Sequence, residues 1–162
     1  GTGIHELLRD PEQAAIFRDD PSLDANAVDE LLRFVSPVQF SRRITLAPIT
    51  IGSGDHTAEV DKGTFVMAGL ASANHDPAKW GPTAGRLDVR REGVNRHVSF
   101  GAGSHFCLGA SLAKLEGQVA VGRFLRRFPD ASVGADPVWN GRINLRGLDR
   151  LPVRLSPTPT RR

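Results

Sequence analysis

The stretch Phe100-Gly101-Ala102-Gly103-Ser104-His105-Phe106-Cys107-Leu108-Gly109 constrains this chain more than any other segment. It holds the only cysteine, has glycine on both sides of it, and leads straight into a helix-forming run. A thiolate that ligates a metal must be deprotonated, rigid and shielded from water. A helix N-terminus favours the anion through its unpaired N–H groups and the positive end of its dipole. The run from Leu108 to Phe128 supplies that helix, and Pro129 stops it. Gly101 and Gly103 permit a tight turn at positive φ and a close approach of backbone to a cofactor. Gly109 lets the first turn lie against a flat ring, where a Cβ would collide. Phe100 offers an apolar wall beside the sulfur. The competing role for a lone cysteine is that of a small buried hydrophobe or a spare thiol. The unbroken order Phe-Gly, Gly-x-His, Cys-x-Gly, helix argues against it.

A chain of 162 residues is long enough for one compact domain with a real core. A single cysteine excludes an intrachain disulfide and fits a reducing cytoplasm. No apolar run is long enough to span a bilayer. The start, Gly1 to Glu6, lacks the basic-then-apolar order of a signal peptide. The net charge is +3 with scattered arginines, so nucleic acid is not the indicated partner. The composition thus predicts a cytoplasmic protein that binds neither nucleic acid nor membrane.

Ile4 to Phe17 reads as helix, with Ile4, Leu7 and Leu8 on one face. Pro11 is either a break or the first turn of a second helix. No cap precedes Ile4, so the first helix is expected to begin in its middle, with an upstream part absent. Leu23 to Val35 forms a second helix with Asp24 as cap, Pro37 as stop and a stripe of Ala27, Val28, Leu31, Leu32 and Val35. Gln39 to Leu46, Ile49 to Ile51 and Phe65 to Leu70 read as strands, with Asp61-Lys62-Gly63 as a turn. Gly52 to Glu59 reads as a polar loop. Residues 71–99 are rich in Pro, Gly, Asn and Asp; when ordered, such a segment is functional or held by specific side chains. Val138 to Leu155 reads as an antiparallel hairpin region, and Ser156 to Arg162 as a flexible tail. The class is mainly α with small β-sheets.

The cysteine segment closely resembles the haem-binding loop of the cytochrome P-450 family, soluble bacterial type, in which a cysteine sulfur is the axial ligand of haem iron. The likeness runs over about residues 4–155. Glu30-Leu31-Leu32-Arg33 sets Glu and Arg three apart on one helix face. Alone, that is an ordinary surface pair contributing well under ~1 kcal/mol. In the family an E-x-x-R helix precedes the loop at about this distance and pairs with an Arg or His from the irregular segment between them. Arg86 sits at the matching place, which implies a structural triad of Glu30, Arg33 and Arg86. Ala73-Asn74-His75-Asp76-Pro77 is similar to the family's Ala-Asn-Arg-Asp-Pro. Arg43 matches a position that reaches a haem propionate; the plain alternative is a solvent-facing strand residue. His105 matches a propionate donor. His97 is either a propionate partner or a loop histidine.

The resemblance implies haem b (iron protoporphyrin IX) on Cys107, with Phe100, Gly101, Gly103 and Gly109 shaping its seat. It implies that residues 1–155 are the C-terminal haem-binding portion of the P-450 fold. The implied activity is insertion of one oxygen atom of O2 into a small organic substrate. Electrons would come from a ferredoxin/ferredoxin reductase-type or flavoprotein donor. Lys114, Arg123, Arg126 and Arg127 offer either a basic docking patch for that donor or a solvated helix face. Val38, Phe40 and Ile143 supply a fragment of the substrate wall. Complete members are more than twice as long, and their distal helix and most of their substrate pocket have no counterpart here. No residue of this portion is assigned a catalytic role. The alternatives are a non-catalytic or weakly peroxidative haem-binding fragment, and a structural half that needs a separate N-terminal chain. Apolar helix faces without that half predict self-association.

Overall fold

In the computed structural model, which describes residues 1–155, Pro11 opens a helix rather than interrupting one. Helix α1 spans Thr2–Arg9. Helix α2 spans Pro11–Asp19; the Asp10 carboxylate caps it by accepting from the Gln13 N–H at 3.1 Å. Helix α3, Asp24–Val35, follows a tight turn at Pro21–Leu23 that Asp20 caps. Asp24 is therefore not the cap expected of it. It sits in the first turn of α3 and pairs with Arg126 instead. Ser36, at φ 33°, ends α3, and its hydroxyl donates to the Arg33 carbonyl. The tail expected from Ser156 to Arg162 lies outside the described residues.

Strand β1, Phe40–Ile44, pairs antiparallel with β4, Phe65–Gly69, placing Arg43 opposite Val66. Between them β2, Ile49–Ser53, and β3, His56–Val60, form a hairpin. β3 replaces the polar loop expected at Gly52 to Glu59. Its residues are exposed up to Val60, so no apolar alternation marks it as strand. The legible signal was the turn, with Gly52 at φ 103° and Gly54 at φ 56°. Helices α4, Leu70–Asn74, and α5, Pro77–Trp80, break up the segment expected to be irregular. Helix α6, Ala110–Arg127, is the long helix after the cysteine. The C-terminal hairpin region is two nested pairs: β5, Ser132–Val133, with β8, Val153–Arg154, around β6, Val138–Trp139, with β7, Leu148–Arg150.

The core gathers Leu7, Phe17, Ala27, Val28, Leu31 and Leu125 from four helices, with Leu87 and Val89 from the irregular segment. Each such burial contributes about 1.5–3 kcal/mol for the larger side chains. Helices α3 and α6 approach closely because residue 117 is glycine: a Cβ there would lie 2.9 Å from Val28 Cγ1. Two ion pairs tie the same helices, Asp24 with Arg126 and Asp29 Oδ1 with Lys114 Nζ, the latter at 2.8 Å. Burial alone would raise the Asp29 carboxyl. The hydrogen bonds from His97 and Lys114, with the Lys114 charge, outweigh it and hold the group below the ordinary carboxylate range.

Residues 81–99 contain one short 3-10 helix, Val94–Arg96, and otherwise only isolated turns, and side chains fasten them to α3. Glu30 and Arg33 are both 0% exposed. Arg33 donates to Glu30 through Nε at 2.7 Å and Nη2 at 2.8 Å. Its remaining donors reach the carbonyls of Asn74, Ala84 and Arg86, so all five guanidinium N–H groups are used. The third member is Arg91, not Arg86. Arg91 Nε lies 3.2 Å from each Glu30 oxygen, and its Nη groups donate to Trp80, Thr83 and Arg86. Arg86 turns its side chain to solvent and contributes only its carbonyl. The physical reason is alternation: Leu87, Val89 and Arg91 point inward, so residues 86 and 90 point out. The Asp88 N–H donates to Glu30 Oε1, the Val89 N–H to Gln13, and Asn26 donates to the carbonyls of Val89 and Arg91.

Glu30→Ala should destabilise the fold by about 3–5 kcal/mol in urea unfolding, because it strands two buried guanidiniums. Arg86→Ala should cost under ~1 kcal/mol by the same assay. The lowered Asp29 carboxyl contributes stability above its unfolded value of about 4, and that contribution is lost as pH falls through the lower folded value. Asp29→Asn should therefore flatten the acid limb of urea midpoint against pH; an unchanged limb contradicts the assignment.

Candidate functional site

The Phe100 carbonyl accepts the Cys107 N–H at 2.9 Å, and this bond closes the loop around the cysteine. Gly101 at φ 75° and Gly103 at φ 70° make its turns, conformations that a side chain would strain. The Ala110 N–H donates to the Cys107 carbonyl at 3.2 Å, and α6 starts there, two residues later than the sequence suggested. Cys107 is exposed, which is not the burial of a core thiol. Its neighbour Leu108 is fully exposed as well.

The loop is anchored from behind. Asn74, 0% exposed, donates to the hydroxyls of Ser36 and Ser99 at 2.8 Å each, and its side-chain oxygen accepts from the Val98 N–H at 2.9 Å. Ser99 Oγ donates to the Leu32 carbonyl on α3. The likeness of residues 73–77 to a known pattern drew attention to Asn74, but its task as the loop's anchor was not read from the sequence. Its amide satisfies three groups at once, which only the folded chain reveals.

Cys107 opens into a cavity of about 340 Å³. Leu32, Val38, Phe40, Leu70 and Phe100 form apolar walls, and Arg43 and His105 also line it. A thiol among apolar walls with two groups suited to carboxylates fits a flat apolar ring that carries acidic edges. Gly109 supports that fit. Its φ is −87°, and an added Cβ would meet no protein atom within 4 Å. The chain's own packing does not demand glycine there, whereas close approach of a ring would.

His97, expected among the cofactor contacts, does not line this cavity. Its Nδ1 accepts from the Ser99 N–H at 3.1 Å and its Nε2 faces Asp29 Oδ1 at 3.4 Å, so the ring is held on the α3 side. Ile143 is likewise outside it and 82% exposed. The Asn144 carbonyl accepts the Gln39 N–H and Leu145 bridges Val38, so Ile143 precedes the two residues that join this hairpin to the Val38 end of the cavity. Of the four basic residues on α6, Lys114 and Arg126 are committed to Asp29 and Asp24, and Arg123 and Arg127 are exposed. Leu112, Leu115 and Val119 form an exposed apolar stripe on α6. No helix among the described residues is long and apolar enough to cross a membrane.

The chain is similar to known proteins in sequence and in fold. The family model for cytochrome P-450 matches residues 21–135. The chain is 41% identical over 158 residues to 6-deoxyerythronolide B hydroxylase of Saccharopolyspora erythraea, covering 96% of this chain and 38% of that protein. It is 44% identical over 163 residues to vitamin D(3) 25-hydroxylase of Pseudonocardia autotrophica, covering 97% and 38%. Among solved structures, a tirandamycin C-bound P-450 monooxygenase superposes with a TM-score of 0.88 at 41% identity, covering 96% of this chain and 39% of that one. The chain thus spans about two fifths of the length of the relatives it matches. Membership of their family implies a haem cofactor, and by sequence and fold this chain belongs to the cytochrome P-450 family.

Proposed function

We propose that residues 1–155 are the C-terminal haem-binding portion of a cytochrome P-450 monooxygenase, in which Cys107 Sγ would ligate the iron of haem b. The observation that carries this reading is the exposed Cys107 in one cavity with apolar walls, Arg43 and His105. Arg43 and His105 would hold the two propionates by charge-assisted hydrogen bonds. Phe100 keeps water from the sulfur, and Gly101, Gly103 and Gly109 let backbone approach the ring. Val38 and Phe40 form part of the wall that meets substrate. Haem held there by a thiolate would supply oxygen chemistry in which one atom of O2 enters a small organic substrate and the other leaves as water, with two electrons from the donor and two protons. Relatives named as hydroxylases support that reaction class. The electron donor is of ferredoxin/ferredoxin reductase or flavoprotein type and meets the side of α6 that carries the exposed Arg123 and Arg127. A reducing cytoplasm keeps the lone thiol free to ligate.

A second reading, in which a complementary N-terminal chain is required for activity, is favoured by the exposed stripe of Leu112, Leu115 and Val119. Two measurements separate these readings. Haem-loaded chain, reduced under carbon monoxide, should show a red-shifted thiolate-type Soret band, and Cys107→Ala should abolish it. Absence of the band in the unsubstituted chain overturns ligation by this chain alone. Substrate-dependent oxygen consumption with a ferredoxin system should appear in the isolated chain under the first reading, and only after addition of an N-terminal half under the second.

A further inference from the structure

Three residues that do not line the Cys107 cavity converge on a residue that does. Asp29 on α3 accepts at one oxygen, Oδ1, from both His97 Nε2 at 3.4 Å and Lys114 Nζ on α6 at 2.8 Å. The Ser99 N–H donates to His97 Nδ1 at 3.1 Å. Nδ1 therefore carries the lone pair, and the ring proton sits on Nε2, directed at Asp29. The His97 ring packs on the Phe100 ring, with centroids 5.8 Å apart at 46°. The Lys114 ammonium lies 6.0 Å from the Phe100 centroid, within reach of the ring's negative face. Phe106 meets Phe100 edge-on at 6.3 Å. The carbonyl of that same Phe100 accepts the Cys107 N–H.

We infer that Asp29, His97 and Lys114 are positioning residues for the thiol, acting through Phe100. Asp29 orients a histidine and an ammonium that together locate the Phe100 ring. The ring is a wall of the cavity, and its backbone carbonyl sets the Cys107 amide. The two long helices and the cysteine loop are thereby referenced to one aromatic residue beside the sulfur. The side chains of Asp29 and His97 are 11% and 2% exposed, so the link is shielded from competing water. His97 is thus not an idle loop histidine. It carries the register of α3 to the ligand loop, by one hydrogen bond at each ring nitrogen.

The inference rests on Cys107 being the haem ligand only for its spectral consequence; its structural part is tested on the full chain without haem. Amide hydrogen exchange at Cys107, followed by 15N NMR, reads the bond to the Phe100 carbonyl. His97→Leu should accelerate that exchange by about tenfold while the α3 core amides of Val28 and Leu31 keep their rates. His97→Asn, whose side-chain amide can place an acceptor near the former Nδ1, should stay within about threefold of the unsubstituted chain. Lys114→Met, which removes the cation from the ring face, should accelerate it by at least about threefold. An unchanged Cys107 rate in His97→Leu, equal acceleration at Val28 and Leu31, or no recovery in His97→Asn overturns the proposal. In haem-loaded protein, His97→Leu should lower the thiolate-type fraction of the carbon monoxide spectrum and His97→Asn should retain it. If the unsubstituted chain gives no such band, the haem assignment fails while the exchange result still decides the positioning role.

Discussion

The irregular segment that leads toward the cysteine loop hangs on one buried carboxylate. Glu30 takes two guanidiniums, and those guanidiniums spend their remaining donors on carbonyls between Asn74 and Arg86. A buried ion pair is a weak source of net stability, because desolvation offsets most of the attraction. Its value here lies in satisfying backbone. A long segment without a helix or strand ladder leaves its N–H and C=O groups unpaired, and in an interior each costs about 1–3 kcal/mol. Arginine, with five donors in a planar fork, is the side chain that can serve several carbonyls while neutralising a carboxylate. Removing Glu30 thus disturbs not one contact but the path of the chain that leads into the cysteine loop.

That path sets the site. Asn74 and Ser99 fasten the segment to the end of α3, and the loop then needs only two glycine turns to present Cys107 at the mouth of α6. The same helix pair builds the core, through the close approach that Gly117 allows, and carries the charged ties at Asp24 and Asp29. Rigid elements hold the loop from behind, and the side facing the cavity is left to apolar walls with Arg43 and His105. This division suits a ligand loop: its position is over-determined, while its front keeps room for a large flat group.

Much of this was legible in the sequence where the constraint was local. Turns at Gly101 and Gly103, a thiol before a helix, a proline stop and an E-x-x-R face depend on residues a few positions apart. What failed depended on how distant segments meet. Arg86 was expected beside Glu30, but the chain alternates inward at 87, 89 and 91, so Arg91 arrives instead. That alternation was present in Leu87, Val89 and Arg91 and could have been read as a period of two. β3 was hidden because a hairpin exposed on both faces needs no apolar pattern. The place of Ile143 was not legible because the register of Asn144 and Leu145 against Gln39 and Val38 is a long-range choice. Lys114 and Arg126 read as free surface charge until α3 supplied their acidic partners.

The sequence by itself determined the chemistry at the centre: one thiol, glycines where backbone must turn, a helix after it, and a Glu and an Arg on one helix face upstream. These follow from side-chain identity and short spacing, which act before any tertiary contact forms. Only the tertiary structure decided which arginine completes the Glu30 cluster, that His97 faces Asp29 rather than the cavity, and that Arg43, His105, Phe40 and Val38 share one space with Cys107. The reason is geometric. Partners fifty or more residues apart are chosen by how helices α3 and α6 pack and by which way an extended segment alternates, and neither choice is made by residues close together in the chain.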